Sequence, residues 1–382
     1  MTLLRILTAG ESHGKGLVGI IEGFPSNVPI DIQAVNEDLA RRQRGYGRGG
    51  RMKIEQDKVE IISGIRNGKT LGSPISFLIK NKDYENWEPY MDAEEADEET
   101  RRITQPRPGH ADLSGALKYG FKDIRNVLER SSARETAVRV AVGSIIKQLL
   151  AAFHIVSASH VTAIGKAGID KKAFDFSQIQ EADKSPVRCA EKAGEQQMIE
   201  AIEAAKKAGD SVGGIFEIHI KGVPVGLGSY VQWDRKLDAK LAFALMGIQA
   251  IKGVEIGYGF ENATRPGSQV HDEIFYEDGR GYFRGTNHAG GIEGGMSNGE
   301  TIVIRCAMKP IPTLYSPLKT VDIETKEGIE AVVERSDTCA VPAASIVGEM
   351  AALTVIGEEL IRKFGGDSLE EMVNRWKACK SI

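Results

Sequence analysis

Ser132-Ala133-Arg134-Glu135, followed by the apolar run from Ala137 to Phe153, is the stretch on which the fold class turns. Serine with glutamate three residues later reads as a capping box, in which the Ser132 hydroxyl and the Glu135 carboxylate satisfy orphan N–H groups reciprocally. A long apolar helix comes next. Around it, helical spacing recurs in Ala34–Arg42, Glu195–Ala208 (closed by Gly209), Lys236–Ile251, Pro342–Phe364 and Leu369–Ala378. Alternation of apolar and polar residues marks strands at Val59–Gly64, Ile215–Ile220 and Thr301–Arg305. Strands and helices do not alternate in regular units, and no internal repeat is visible, so an α+β arrangement fits better than a doubly wound sheet.

The chain has 382 residues, with 41% hydrophobic and 27% charged side chains, an ordinary globular composition. A formal net charge of −4 argues against global attraction to nucleic acid or to an anionic membrane, so any basic site must be local. The apolar run after Met1 is too brief for a signal peptide or a membrane span, and a cytoplasmic location is expected. Cys189, Cys306, Cys339 and Cys379 are far apart without a C-x-x-C pair, so neither a metal site nor a disulfide framework is expected. The acidic run Glu94–Glu99 reads as a solvated helix face or loop, and no Pro- or Ser-rich linker divides residues 1–382. Glycine is in excess, 43 residues or about 11% against a typical ~7%, clustered in particular loops.

Two motifs mislead. Gly10-Glu11-Ser12-His13-Gly14 matches the elbow of a serine hydrolase, which would make Ser12 a nucleophile toward an anionic ester. The next segment, Leu17–Gly23, is strand-like where that motif requires a helix. Gly45-Tyr46-Gly47-Arg48-Gly49-Gly50 matches a dinucleotide fingerprint but comes after a helix and leads into charged residues, contrary to strand-turn-helix order. Its notable content is instead the arginines: Arg41, Arg42, Arg44, Arg48 and Arg51 fall among glycines that let backbone approach a ligand.

Chemistry converges in several short segments. Arg107-Pro108-Gly109-His110 offers a guanidinium suited to bidentate capture of carboxylate or phosphate, and an imidazole able to titrate near ~6.5. His13 sits in a second glycine-flanked loop, making acid–base work plausible. Arg130-Ser131-Ser132-Ala133-Arg134 unites arginines, hydroxyls and a helix N-terminus, an anion site by construction, although a simple helix cap explains it as well. Arg335-Ser336-Asp337-Thr338 repeats that chemistry before another helix, where Asp337 is either a base or a cap. Lys309-Pro310-Ile311-Pro312-Thr313 is a rigid turn with a cation and a hydroxyl, and Gly290–Met296 is a glycine loop open to a flat or phosphorylated cofactor. A non-catalytic polyanion-binding module would use the same basic groups.

Taken together these segments, in this order, resemble the chorismate synthase family over Leu7 to about Met350: Gly10–Gly14 through Pro25, Glu129–Gly143, and Arg335–Met350, with Arg48–Arg51, Arg107–His110 and Lys309–Thr313 between them. The resemblance implies a lyase of the shikimate pathway, in aromatic amino acid biosynthesis. It would remove phosphate and a ring hydrogen from 5-enolpyruvylshikimate 3-phosphate by 1,4-anti elimination, using reduced FMN without net redox change. It implies a single domain folded as a β-α-β sandwich, with helices packed between two antiparallel sheets, assembled as a homotetramer. Arg42, Arg48, Arg51, Arg107, Arg134 and Arg335 would clamp the anionic substrate. His13 would protonate the departing phosphate, His110 would partner the flavin, and Asp337 would take up the ring proton by way of flavin N5. Arg130, Ser131, Ser132, Gln249, Ala250, Gly294, Lys309, Thr313, Arg335 and Ser336 match positions that hold FMN. Some family members also reduce their flavin with NADPH, for which Arg42 and Arg48 are candidate contacts.

Overall fold

A computed structural model describes residues 4–49, 56–169, 174–334 and 336–379. Its first sheet holds β1 (Arg5–Ala9), β2 (Gly16–Glu22), β3 (Val59–Ser63) and β4 (Ile75–Lys80) in the order β1-β2-β4-β3. Its second holds β5 (Val156–Ile164), β6 (Ala167–Gly168), β7 (Gly214–Lys221), β8 (Ile251–Ile256) and β9 (Ile302–Met308) in the order β8-β9-β7-β5-β6. Every pairing within both sheets is antiparallel. Registers match burial: Leu17, Ile21, Phe77 and Ile79 share one face of the first sheet, and Phe216, Ile218, Ile302 and Ile304 are fully buried in the second.

Eight principal helices accompany the sheets: α1 (Ile32–Gln43), α2 (Asp112–Tyr119), α3 (Arg125–Ser131), α4 (Thr136–Ala151), α5 (Lys192–Lys207), α6 (Leu237–Met246), α7 (Val341–Phe364) and α8 (Leu369–Cys379). Asp31 starts α1 by accepting the Gln33 amide at 2.8 Å. α4 and α7 are apolar on nearly all sides and are correspondingly buried on nearly all sides. They pack on each other and on α1. α4 also lies against β2, and α7 against β5 and β7. Side chains such as Val138, Ile145, Ile146 and Leu149 are fully buried, each stabilising the fold by about 1.5–3 kcal/mol. One close approach is glycine on methionine: a Cβ on Gly143 of α4 would stand 2.4 Å from the Met350 Cβ of α7. The chain is therefore α+β, as its sequence patterning indicates.

Two sequence expectations are corrected. The Ser132/Glu135 capping box does not form. Ser132 accepts the Arg134 amide at 3.3 Å at the head of a 3-10 turn, Ala133–Glu135, while Glu135 turns away to Thr8 and Arg139. The tertiary partners of a buried carboxylate thus outcompete its local cap. The helix expected over Lys236–Ile251 ends at Met246, because Ile251 pairs with Met308 as the first residue of β8. The acidic run Glu94–Glu99 is loop, one of the two forms expected for it.

Candidate active site

One cavity of about 570 Å³ gathers the basic segments. α1 delivers Arg42 in its last turn, and the loop after it delivers Arg48 and Gly49. The turn before α2 delivers Arg107 and His110. The junction of α3 with α4 delivers Ser131, Ser132 and Arg134. Gln249 and Ala250 enter between α6 and β8, Lys309 and Thr313 just beyond β9, and Ser336 and Asp337 just before α7. Between these polar groups the lining is apolar at Ile248, Met308, Ile311 and Val347. Among the described residues, six lysine and arginine side chains line the space against two carboxylates, Glu334 and Asp337. Such a site favours a multiply charged anion.

Each arginine is held from behind. Both Asp57 oxygens accept Arg134 Nη1 at 2.7 Å, and Asn81 Oδ1 accepts Arg134 Nε at 2.9 Å. Asp57 also lies 3.6 Å from Arg42 Nη1. Arg42 donates through Nε and Nη2 to Thr136 Oγ1, whereas its buried Nη1 has no hydrogen-bond partner among the described residues. Burial pulls the Arg42 guanidinium down to about 10; Asp57 opposes this, while neighbouring Arg134 and Arg48 add to it. An anion would relieve this like-charge crowding.

Asp112, fully buried, plays the same part for the second cluster. Its Oδ2 accepts Arg107 Nε at 2.8 Å, and its Oδ1 meets His110 Nδ1 at 2.5 Å. Burial alone would raise the Asp112 carboxyl, but hydrogen bonds from His110 and Arg107 outweigh it and hold the group well below the usual range. Arg107 also donates to Thr313 Oγ1 at 3.1 Å, tying the two turns together. Asp337 is paired with Arg48 Nη1 at 2.7 Å and accepts the Gly49 amide at 2.6 Å. That approach requires glycine, because a Cβ at 49 would come within 2.8 Å of the Ser336 carbonyl oxygen.

Ala250 has φ +66°, the left-handed region that non-glycine residues seldom occupy, and its carbonyl accepts the Lys309 amide at 2.9 Å. The adjacent Gln249 Oε1 is buried, and among the described residues it lacks a hydrogen-bond partner. Gln249 and Ala250 both line the cavity.

His13 stands apart from the cavity lining, in the β1–β2 loop. Glu129 of α3 accepts its backbone amide at 2.8 Å through Oε2 and meets Nδ1 at 2.8 Å through Oε1. The imidazole stacks on Trp87 with centroids 3.9 Å apart, and Arg101 covers that indole at 3.8 Å. Burial would raise Glu129, but the hydrogen bond from His13 prevails and keeps it below its ordinary value. Asn81 joins this loop to the arginines, donating to the Glu11 and Gly14 carbonyls while accepting from Arg134.

Other expected residues fall elsewhere. Arg130 is spent on the backbone, donating to the Gly10 and Thr8 carbonyls, and does not line the cavity. Gly294, at φ +58° in the turn between Ile292–Glu293 and Met296–Ser297, does not line it either. Arg51 and Arg335 lie outside the described residues. Ser12 is buried and is succeeded by β2 rather than by a helix, so the hydrolase elbow is missing. Sequence reasoning overlooked Asp57, Asn81, Trp87, Asp112 and Glu129. Two had local signals: Asp112 is two residues beyond His110, and Glu129 opens the Arg130–Arg134 segment.

A family model described as chorismate synthase matches residues 4–361. The chorismate synthase of Alkaliphilus metalliredigens (strain QYMF) is 69% identical over 380 residues, covering 100% of both chains. That of Caldicellulosiruptor bescii is 56% identical over 377 residues, covering 98% of each. A crystal structure of a chorismate synthase superposes with a TM-score of 0.80 at 43% identity, covering 98% of this chain and 97% of that one. Among the described residues no helix is long and apolar enough to cross a membrane.

Proposed function

The chain belongs to the chorismate synthase family and is thus a lyase, and from that premise we propose that its arginine-lined cavity is where phosphate leaves 5-enolpyruvylshikimate 3-phosphate. The observation that carries this reading is the convergence of six cations with His110 and Asp337 on one cavity. A substrate with two carboxylates and a phosphate needs several fixed donors, and guanidinium forks supply them with direction as well as charge.

Reduced FMN fits the same space. Its apolar lining residues suit a flat ring, and Gln249, the Ser131, Ser132, Thr313 and Ser336 hydroxyls, and Lys309 are polar groups of the kind that fix a flavin and its phosphate. Ala250 completes this set. Arg130, Gly294 and Arg335 enter it only from the family pattern. When bound, reduced FMN supplies electron density to the allylic C–O bond without net redox change. His110, oriented by Asp112, holds the polar edge of the flavin. Arg42, Arg48, Arg107 and Arg134, with Arg51 and Arg335, bind the substrate anions. His13, backed by Glu129 but outside the cavity lining, enters only from the family pattern as donor of the proton to the departing phosphate. Asp337, steered by Arg48 and the Gly49 amide, accepts the ring proton. Arg42 and Arg48 are also the contacts proposed for NADPH as reductant.

The contacts of α1 and α4 with the first sheet and of α4 and α7 with the second support a β-α-β sandwich, and a main core drawn from Leu4 to Trp376 supports reading residues 1–382 as a single domain. Large exposed apolar side chains, Phe243, Phe260 and Trp233 among them, support a homotetramer. The cytoplasm is the location proposed.

An anaerobic assay with pre-reduced FMN tests the reading. Wild type is expected to release phosphate and form chorismate, whereas Asp337→Asn retains flavin binding but loses turnover. Full turnover by Asp337→Asn, or none by wild type, would overturn it. Turnover with oxidised FMN and NADPH alone reveals whether the chain reduces its own flavin.

A further inference from the structure

The second sheet carries another cluster, on the face that α7 does not cover. Along β7, Phe216 and Ile218 point at α7, where a Cβ on Gly348 would meet the Phe216 ring at 2.6 Å. The alternate residues Glu217 and His219 therefore face the other way, and His160 of β5 is the cross-strand partner of Glu217. His160 Nε2 lies 3.4 Å, and His219 Nε2 3.3 Å, from the same oxygen, Glu217 Oε2. One donor atom from each of the three lies within 4.8 Å of the others. None of them lines the arginine cavity.

We propose that His160, Glu217 and His219 form a structural zinc site that clamps β5 to β7. Tetrahedral zinc with bonds of about 2.0–2.1 Å has ligand–ligand edges of roughly 3.3–3.4 Å. Both nitrogen–oxygen separations match those edges and are longer than the ~2.7–3.2 Å of ordinary N–H···O bonds. Glu217 Oε1 accepts Arg305 Nε at 2.9 Å, and Arg305 donates in turn to Glu255 at 3.1 Å. This leaves Oε2 to the ion and orients it, as outer-shell partners do. The side chains of His219 and Glu217 are 13% and 12% exposed, so water can reach the fourth position. Sequence spacing gives no warning, since His160 and Glu217 are 57 residues apart. The expectation of no metal rested on cysteine spacing alone.

Untagged full-length protein, dialysed against a chelator, is titrated with Zn²⁺ by calorimetry and followed by thermal melting. Wild type is expected to bind one ion per chain at this site and to melt higher with zinc. His219→Ala, a partly exposed position, is expected to weaken binding by more than the roughly 10–100-fold that loss of an outer-shell partner costs. Cobalt(II) gives a second readout in wild type alone, expected to show intense tetrahedral d–d absorption. Equal zinc binding by wild type and His219→Ala, absence of saturable zinc binding by wild type, or weak octahedral cobalt bands would overturn the proposal.

Discussion

Asp57→Asn tests how the arginine cavity is kept charged. Asp57 is buried, with both oxygens 2.7 Å from Arg134 Nη1 and one of them 3.6 Å from Arg42. Asparagine keeps one acceptor but removes the negative charge that Asp57 sets against this arginine pair. Breaking a buried ion pair costs about 3–5 kcal/mol, and the retained hydrogen bond places this change near 3. At about 2 °C per kcal/mol for a large chain, the melting temperature should fall by roughly 6 °C. The variant leaves Arg42 and Arg134 uncompensated, so inorganic phosphate should restore more stability to it than to wild type. An anion at a hundred times its Kd contributes about 2.7 kcal/mol, which would recover most of the loss. Thermal melts at pH 7 across a phosphate series, with chloride controls at equal ionic strength, measure both effects. A melting temperature within about 1 °C of wild type, or the same phosphate response in both proteins, would refute the account of Asp57 as the counter-charge.

The other carboxylates give two further expected outcomes. Glu129→Gln removes the charge facing His13 Nδ1, and at about 1.5–3 kcal/mol for a charge-assisted bond kcat should fall by roughly ten- to a hundredfold with little change in KM; steady-state kinetics within twofold of wild type would count against His13 as the acid. Asp112 has a depressed folded-state pKa, so its stabilisation is present above the ordinary carboxylate value near ~3.9 and is lost as pH falls through the folded value. The gap in urea midpoint between wild type and Asp112→Asn should be level from pH 7 to about 5 and shrink toward acid. A gap that widens on acidification contradicts that sign.

The parts of the fold visible in sequence are those governed by local periodicity. The apolar spacing of residues 342–364 yields α7 to within a residue, because a helix buried on nearly all sides shows it in composition. The end of α6 was hidden. Nothing near Met246 says that Ile251 will pair with Met308, a partner 57 residues away. The site divides the same way. Arg134 and Arg107 are legible from hydroxyls, glycines and prolines beside them, whereas Asp57, which holds Arg134 across 77 residues, has no local signature. Asp112 was within reach, five residues from Arg107, since a carboxylate next to an Arg–His turn is a natural counter-charge.

Gly143 against Met350 bears on more than packing. Gly143 lies roughly 10 Å along α4 from Thr136, and Met350 roughly 13 Å along α7 from Val341, at 1.5 Å per residue. Those helix starts carry Arg134 on one side and Asp337 on the other. The two helices thus behave as the arms of a caliper whose screw is the glycine. A methyl group added there would spread the jaws, changing the gap between a proposed substrate clamp and a proposed proton acceptor without touching either. Selection for activity would then be felt at a position that no ligand reaches.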